Sequence, residues 1–131
     1  MTPTPSADLS VVLLLARDAD TTAAFYRDLL GVPLAGEEHD GRHRHYAARL
    51  GPLYFTVQPA ADLSAPPPPQ GYDSLQLGFT VEDLDAFLAR AAGQGVTPLH
   101  PPRPFEYTRY VTLLDPDGRH VRVMTPWHRP G

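Results

Sequence analysis

Apolar residues along the chain follow two patterns that alternate and then repeat. An aliphatic run from Leu9 to Leu15 reads as a buried strand. Asp18 to Asp20 follow as candidate N-caps for a helix carrying Phe25, Leu29 and Leu30, and Gly31 stops it. Val32-Pro33-Leu34 then resumes extended structure. The second half runs in the same order. Leu75 to Val81 alternates like a strand, and Glu82 and Asp83 open a helix with Leu84, Phe87, Leu88 and Ala91 on one face. Gly93 and Gly95 end that helix, and Val96-Thr97-Pro98-Leu99 restarts extended chain. Phe25 and Phe87 hold equivalent places in this reading. Strand, helix, glycine stop and Val/Pro/Leu restart, met twice in one order, mark an internal repeat.

Further strands are predicted after each helix: roughly 33–38, 43–50 and 53–58 in the first half, and 97–100, 107–114 and 120–125 in the second. His39-Asp40-Gly41, Gly51-Pro52 and Asp115-Pro116-Asp117-Gly118 supply the turns. The expected fold is α+β, with two tandem βαβββ modules in a single domain. Module one spans about 9–58 and module two about 74–125. Between them, 59–73 with Pro66 to Pro69 reads as a polyproline II spacer, and 126–131 is a tail anchored by Trp127.

Composition narrows the function. The 131 residues are 42% hydrophobic and 20% charged, which excludes a disordered tail and a membrane protein. The longest aliphatic run, Val11 to Ala16, falls well short of the ~20 residues a membrane-crossing helix needs. Met1 to Ser6 shows no basic or apolar leader pattern, so a cytoplasmic location is expected. No cysteine is present, which excludes disulfides, thiolate nucleophiles and cysteine-based zinc sites. All 11 basic residues are arginine, so lysine Schiff-base chemistry and a lysine phosphate loop are excluded. A net charge of -4 with scattered arginines argues against a nucleic-acid partner.

Two motifs at opposite ends of the repeat carry a resemblance. Asp18 followed by Phe25-Tyr26-Arg27-Asp28-Leu29-Leu30-Gly31 resembles the D…FY…LG signature of the vicinal oxygen chelate superfamily, which includes glyoxalases, bleomycin-resistance proteins and extradiol dioxygenases. Asp115-Pro116-Asp117-Gly118-Arg119-His120-Val121-Arg122-Val123 is similar to that superfamily's D-P-D-G-x-x-[IVL]-E-[IVL] ending. The resemblance implies sheets curved around a cavity and a homodimer, with the first strand able to exchange between subunits.

The superfamily's enzymes hold a divalent metal through four side chains, one from the first and last strand of each module. Carried over one at a time, those positions read Val11, Phe55, Gln76 and Arg122. A one-residue shift in the second of them puts Tyr54 or Thr56 there instead. Valine and phenylalanine cannot coordinate, arginine is a fixed cation, and glutamine is a weak oxygen ligand. No metal and no other cofactor is therefore expected.

Other candidate chemistry is thin. His39, His43 and His45 form H-x-x-x-H-x-H, but Arg42, Arg44 and Arg49 surround them, and a solvated or pocket-rim hairpin explains them more simply. No serine sits in a nucleophile elbow. Glu37-Glu38 and Glu82-Asp83 read as a hairpin and a helix start. Aromatic residues in strand and tail segments are the better clue. A metal-free cavity with His45, Tyr46, Phe55, Gln76, Tyr107, Tyr110, Arg122, Met124 and Trp127 as ligand contacts points to a small-molecule pocket. The expected function is non-catalytic sequestration of a bulky, partly aromatic natural-product antibiotic. The alternative is a lyase, isomerase or dioxygenase-type enzyme of the same superfamily.

Overall fold

A computed structural model describes residues 8–38, 44–60, 76–105 and 108–126. The first module contains β1 (Val11–Ala16), α1 (Ala19–Ala24), β2 (Ala35–Glu37), β3 (His45–Leu50) and β4 (Leu53–Pro59). The second contains β5 (Leu77–Thr80), α2 (Leu84–Gly93), β6 (Arg103–Phe105), β7 (Thr108–Leu114) and β8 (His120–Met124). The sheets have matching orders, β1-β4-β3-β2 and β5-β8-β7-β6, and in each the first strand pairs parallel to the last. Both are mixed four-stranded sheets, so the fold is α+β and the repeat is real.

Both helices begin alike because an aspartate carboxylate accepts from a backbone N–H one turn on. Asp18 takes Thr21 N at 3.2 Å, and Asp83 takes Ala86 N at 3.0 Å. Beyond Ala24 the first helix widens into one π turn over Phe25–Leu29. Gly31 and Gly95 then take φ of 73° and 75°, which a side chain would strain. Counted from the capping aspartates, Phe87 corresponds to Thr22, not to Phe25; the π turn shifts the aromatic positions of the first helix. The restart at 97–100 is not a strand. Pro98, Pro101 and Pro102 offer no N–H to a ladder, and the strand forms at Arg103–Phe105 instead.

One face of each sheet packs on its helix. Leu14, Ala16, Tyr46, Ala48, Phe55 and Val57 meet Ala19, Ala23 and Tyr26 of the first module, and Val111, Leu113 and Val123 meet Leu84, Phe87 and Ala91 of the second. The cores cross over: Val121 belongs to the first and Leu29 to the second, while Phe25 and Leu30 touch both.

A buried polar network locks the modules together. Tyr26 donates to Asp115 at 2.7 Å, and Thr22 donates to Asp117 at 2.6 Å. Arg119 pairs with Asp115 at 3.0 Å and Asp117 at 3.4 Å, and donates to the Leu15 carbonyl. Burial beside Asp115 raises the Tyr26 phenol far above its ordinary value. The Asp-Pro-Asp-Gly turn is therefore a clamp as well as a turn.

Candidate functional site

Side chains alternate across a strand, so residues one place out of step with the core point to the face away from the helices, here called the open face. On the second sheet, pairing brings Gly78, Arg122 and Thr112 into one row, and Met124, Tyr110 and Arg103 into the next. The Arg122 guanidinium lies 4.6 Å from the Tyr110 ring centroid and 5.6 Å from that of Phe105. Its Nε donates to Gln76 Oε1 at 3.3 Å. Among the described residues Arg122 has no carboxylate partner. It is a half-buried cation held by two rings and one amide.

Tyr110 is fixed from its edge as well. His100 meets it edge-on at 5.2 Å, and Phe105 does so at 6.1 Å. His100 Nδ1 donates to the Pro101 carbonyl at 2.7 Å, and Nε2 pairs with the Thr112 hydroxyl at 2.9 Å. At Gly78 an added Cβ would come within 3.2 Å of the Met124 methyl. The Met124 methyl thus lies over the backbone at Gly78.

On the first sheet the rows read Val11–Tyr54–Arg49 and Leu13–Thr56–Ala47–Ala35, and Glu37 is paired with His45. Arg49 lies 5.5 Å from the Tyr54 ring centroid, and His45 Nε2 is 3.1 Å from Glu37 Oε2. The Thr56 hydroxyl is buried without a hydrogen-bond partner among the described residues.

Gln76, Tyr110, Arg122 and Met124 thus come together on one open face. His45 lies on the open face of the other sheet, with Glu37 as a cross-strand partner that sequence spacing did not suggest. Two expected contacts are corrected. Phe55 packs against Tyr26 in the core at 5.5 Å between centroids, and Tyr46 points to the helix side, donating to Asp20 at 2.5 Å. Their strand parity is one step off the open face, where Tyr54 and Thr56 stand instead. Tyr107, Trp127, His39 and His43 lie outside the described residues. His100, Phe105, Thr112 and Thr56 were not among the expected contacts. Tyr110 was named from the sequence as an aromatic strand residue, but the contacts of His100 with it and with Thr112 arise only from the tertiary fold.

The family model described as Glyoxalase/Bleomycin resistance protein/Dioxygenase superfamily matches residues 9–123. The chain belongs to this superfamily. Among solved structures it is similar to a superfamily protein from Nocardioides, with TM-score 0.74, 15% identity, and 98% of this chain and 89% of that one covered. It is also similar to TnmS3, an antibiotic binding protein from Streptomyces sp. CB03234, with TM-score 0.70, 19% identity and coverage of 95% and 99%. A lactoylglutathione lyase from Agrobacterium tumefaciens gives TM-score 0.68, 21% identity and coverage of 93% and 96%. Among curated proteins, none matches the chain in sequence. At these identities the structural likeness speaks for the fold alone.

Strand register decides which residues stand at the superfamily's metal positions. Val11 and Gln76 each precede a capping aspartate by seven residues. Leu13 and Gly78 each precede one by five, and they pair with Thr56 and Arg122 respectively. Thr56 therefore corresponds to Arg122, and the positions read Val11, Thr56, Gln76 and Arg122. One hydrocarbon, one neutral hydroxyl, one amide and one guanidinium do not make a divalent-metal donor set. Among the described residues, no group of three or more histidine, aspartate and glutamate side chains could hold a metal ion.

Proposed function

We propose that this superfamily member binds and sequesters a bulky, partly aromatic natural-product antibiotic without transforming it. Arg122 carries the reading. A half-buried guanidinium stacked on Tyr110 and Phe105, with no carboxylate to neutralise it among the described residues, is shaped for a carboxylate, phenolate or carbonyl on a planar ring system. Gln76 supplies a second polar contact, and Met124, whose methyl lies over Gly78, an adaptable apolar one. Likeness in fold to an antibiotic binding protein agrees with this reading.

The protein is proposed to act in the cytoplasm as a homodimer. No helix among the described residues is long and apolar enough to cross a membrane. Val11 and Leu13 on one open face and Phe105 and Leu114 on the other are 41–48% exposed, an apolar surface that a second copy would cover. Light scattering on the purified protein should give twice the chain mass.

The test of binding is calorimetry with 1-hydroxy-2-naphthoate, a planar hydroxy-arene carboxylate. Saturable heat from the native protein, lost in Arg122→Met, supports the site; equal affinity in both proteins removes it. Mass spectrometry of the recovered compound separates binding from turnover. The second reading, a metal-free enzyme, is favoured by the His45–Glu37 pair, since a carboxylate-bonded imidazole is suited to proton transfer. A chemically changed product would move that reading to first place.

A further inference from the structure

The chain beside Tyr110 fixes more than the place of that ring. Pro98, Pro101 and Pro102 restrict the backbone on both sides of His100, and the Leu99 N–H donates to the Thr112 carbonyl at 2.9 Å, so the segment is held against β7. His100 Nδ1 faces the Pro101 carbonyl oxygen at 2.7 Å, and Nε2 faces the Thr112 hydroxyl at 2.9 Å. The ring packs edge-on to Tyr110, which limits its rotation.

These two bonds have a definite polarity. A carbonyl oxygen only accepts, so Nδ1 must carry the ring proton. A neutral imidazole has one such proton, which leaves a lone pair on Nε2, and the Thr112 hydroxyl donates to it. Thr112 is only 8% exposed, so little water competes for that bond. With its one proton committed to His100, the hydroxyl has only lone pairs left to offer. Strand register sets Thr112 directly opposite Arg122 on the open face. Side chains so paired have Cβ atoms ~5 Å apart. A fixed cation that donates thus stands beside a neutral oxygen that accepts.

We infer that His100 is a specificity-determining residue: by holding the Thr112 proton, it makes the Arg122 site select an aromatic ligand with a hydroxyl or N–H donor meta to its anionic group. This rests on the reading that Arg122 receives such an anion. A hydroxyl ortho to a carboxylate bonds to it internally. A meta hydroxyl is free to reach Thr112 while the carboxylate meets Arg122. An ether at the same place sets lone pair against lone pair and leaves the Thr112 oxygen without a donor.

The experiment is calorimetry of the full chain with 2-naphthoate, 4-hydroxy-2-naphthoate and 4-methoxy-2-naphthoate. The native protein should prefer the hydroxy compound to the ether by ~10-fold or more. Thr112→Val, which keeps the side-chain shape, should shrink that preference to ~2-fold or less, whereas a preference set by the bulk of the ether would persist. Thr112→Ser, which keeps the hydroxyl, should retain it. His100→Phe keeps a ring against Tyr110 and frees the hydroxyl to donate, so the preference should again fall to ~2-fold or less. A second readout needs no ligand: proton–nitrogen correlation NMR of the His100 ring at mildly alkaline pH should show Nδ1 protonated and Nε2 bare. Equal affinity for both compounds in the native protein, a preference that survives Thr112→Val or His100→Phe, or a ring proton on Nε2 overturns the inference. If 2-naphthoate still binds in those cases and Arg122→Met loses it, the proposed function stands alone. If none of the three compounds binds, both readings fall.

Discussion

The two modules share a skeleton and differ in what they display. Caps, glycine stops, strand order and register match between them, yet Thr56 stands in the first where Arg122 stands in the second. The helix-facing sides are constrained by packing, since each apolar side chain buried there contributes ~1.5–3 kcal/mol. The open faces carry no such demand, and there the copies have diverged into one neutral surface and one cationic surface. The two modules share the frame, and the chemistry they display differs through single positions on one side of it.

The shared clamp should give the largest effect when broken. Asp115→Ala removes the acceptor for Tyr26, the side chain and backbone N–H of Arg119, and the backbone N–H of Asp117. It leaves the partly buried Arg119 guanidinium and the buried Tyr26 hydroxyl short of their acceptor, so urea unfolding should show a loss of ~3–5 kcal/mol. Both open faces would lose their order together. A loss below ~1 kcal/mol would mean that the modules do not depend on the clamp.

Face assignment is tested next. Phe55→Ala should cost ~3–5 kcal/mol as a core deletion, while Tyr54→Ala, half exposed on the open face, should cost ~1 kcal/mol. Reversed costs in the same urea experiment would put the strand parity the other way round.

The sequence carried the frame well for a physical reason. Core periodicity, capping aspartates and glycine stops are local signals, and they located both helices and most strands. Strand parity was less legible. Leu53 to Val57 is apolar at nearly every place, so alternation could not say whether Tyr54 or Phe55 faces the core; pairing with β1 decides it. Prolines at 98, 101 and 102 displaced the strand expected at 97–100. Gln76 and Arg122 were legible because motifs stand close by. The links from His100 to Thr112 and from Glu37 to His45 depend on which strands pair, and no local pattern carries that.

Arg122→Met sharpens the comparison at the site itself. It keeps the apolar stem and removes the charge, so affinity for 1-hydroxy-2-naphthoate should fall ~10- to 100-fold. Stability in urea should change by less than ~1 kcal/mol, because no buried partner loses its bond. Arg49→Met, on the exposed first-module pair, should change naphthoate affinity less than ~2-fold.

The smallest effect is expected at alkaline pH. Burial first, then the Asp115 charge and hydrogen bond, raises the Tyr26 phenol above its ordinary 10.0, so the folded chain keeps a proton that the unfolded chain releases. That stabilisation is fully present below pH 10 and is lost progressively as the pH rises above it, by at most ~1.4 kcal/mol per pH unit. Tyr46, raised first by its bond to Asp20 and then by burial, adds in the same direction. Denaturation followed from pH 8 to 11 should show the decline, and Tyr26→Phe should flatten it.

A crystal structure of the protein with 1-hydroxy-2-naphthoate tests the central claim most directly. The account predicts the carboxylate or phenolate within hydrogen-bond distance of Arg122 Nη1 or Nη2, with the naphthalene rings against Tyr110 or Phe105. Naphthoate bound elsewhere, with Arg122 still held by Gln76, Tyr110 and Phe105, would contradict it.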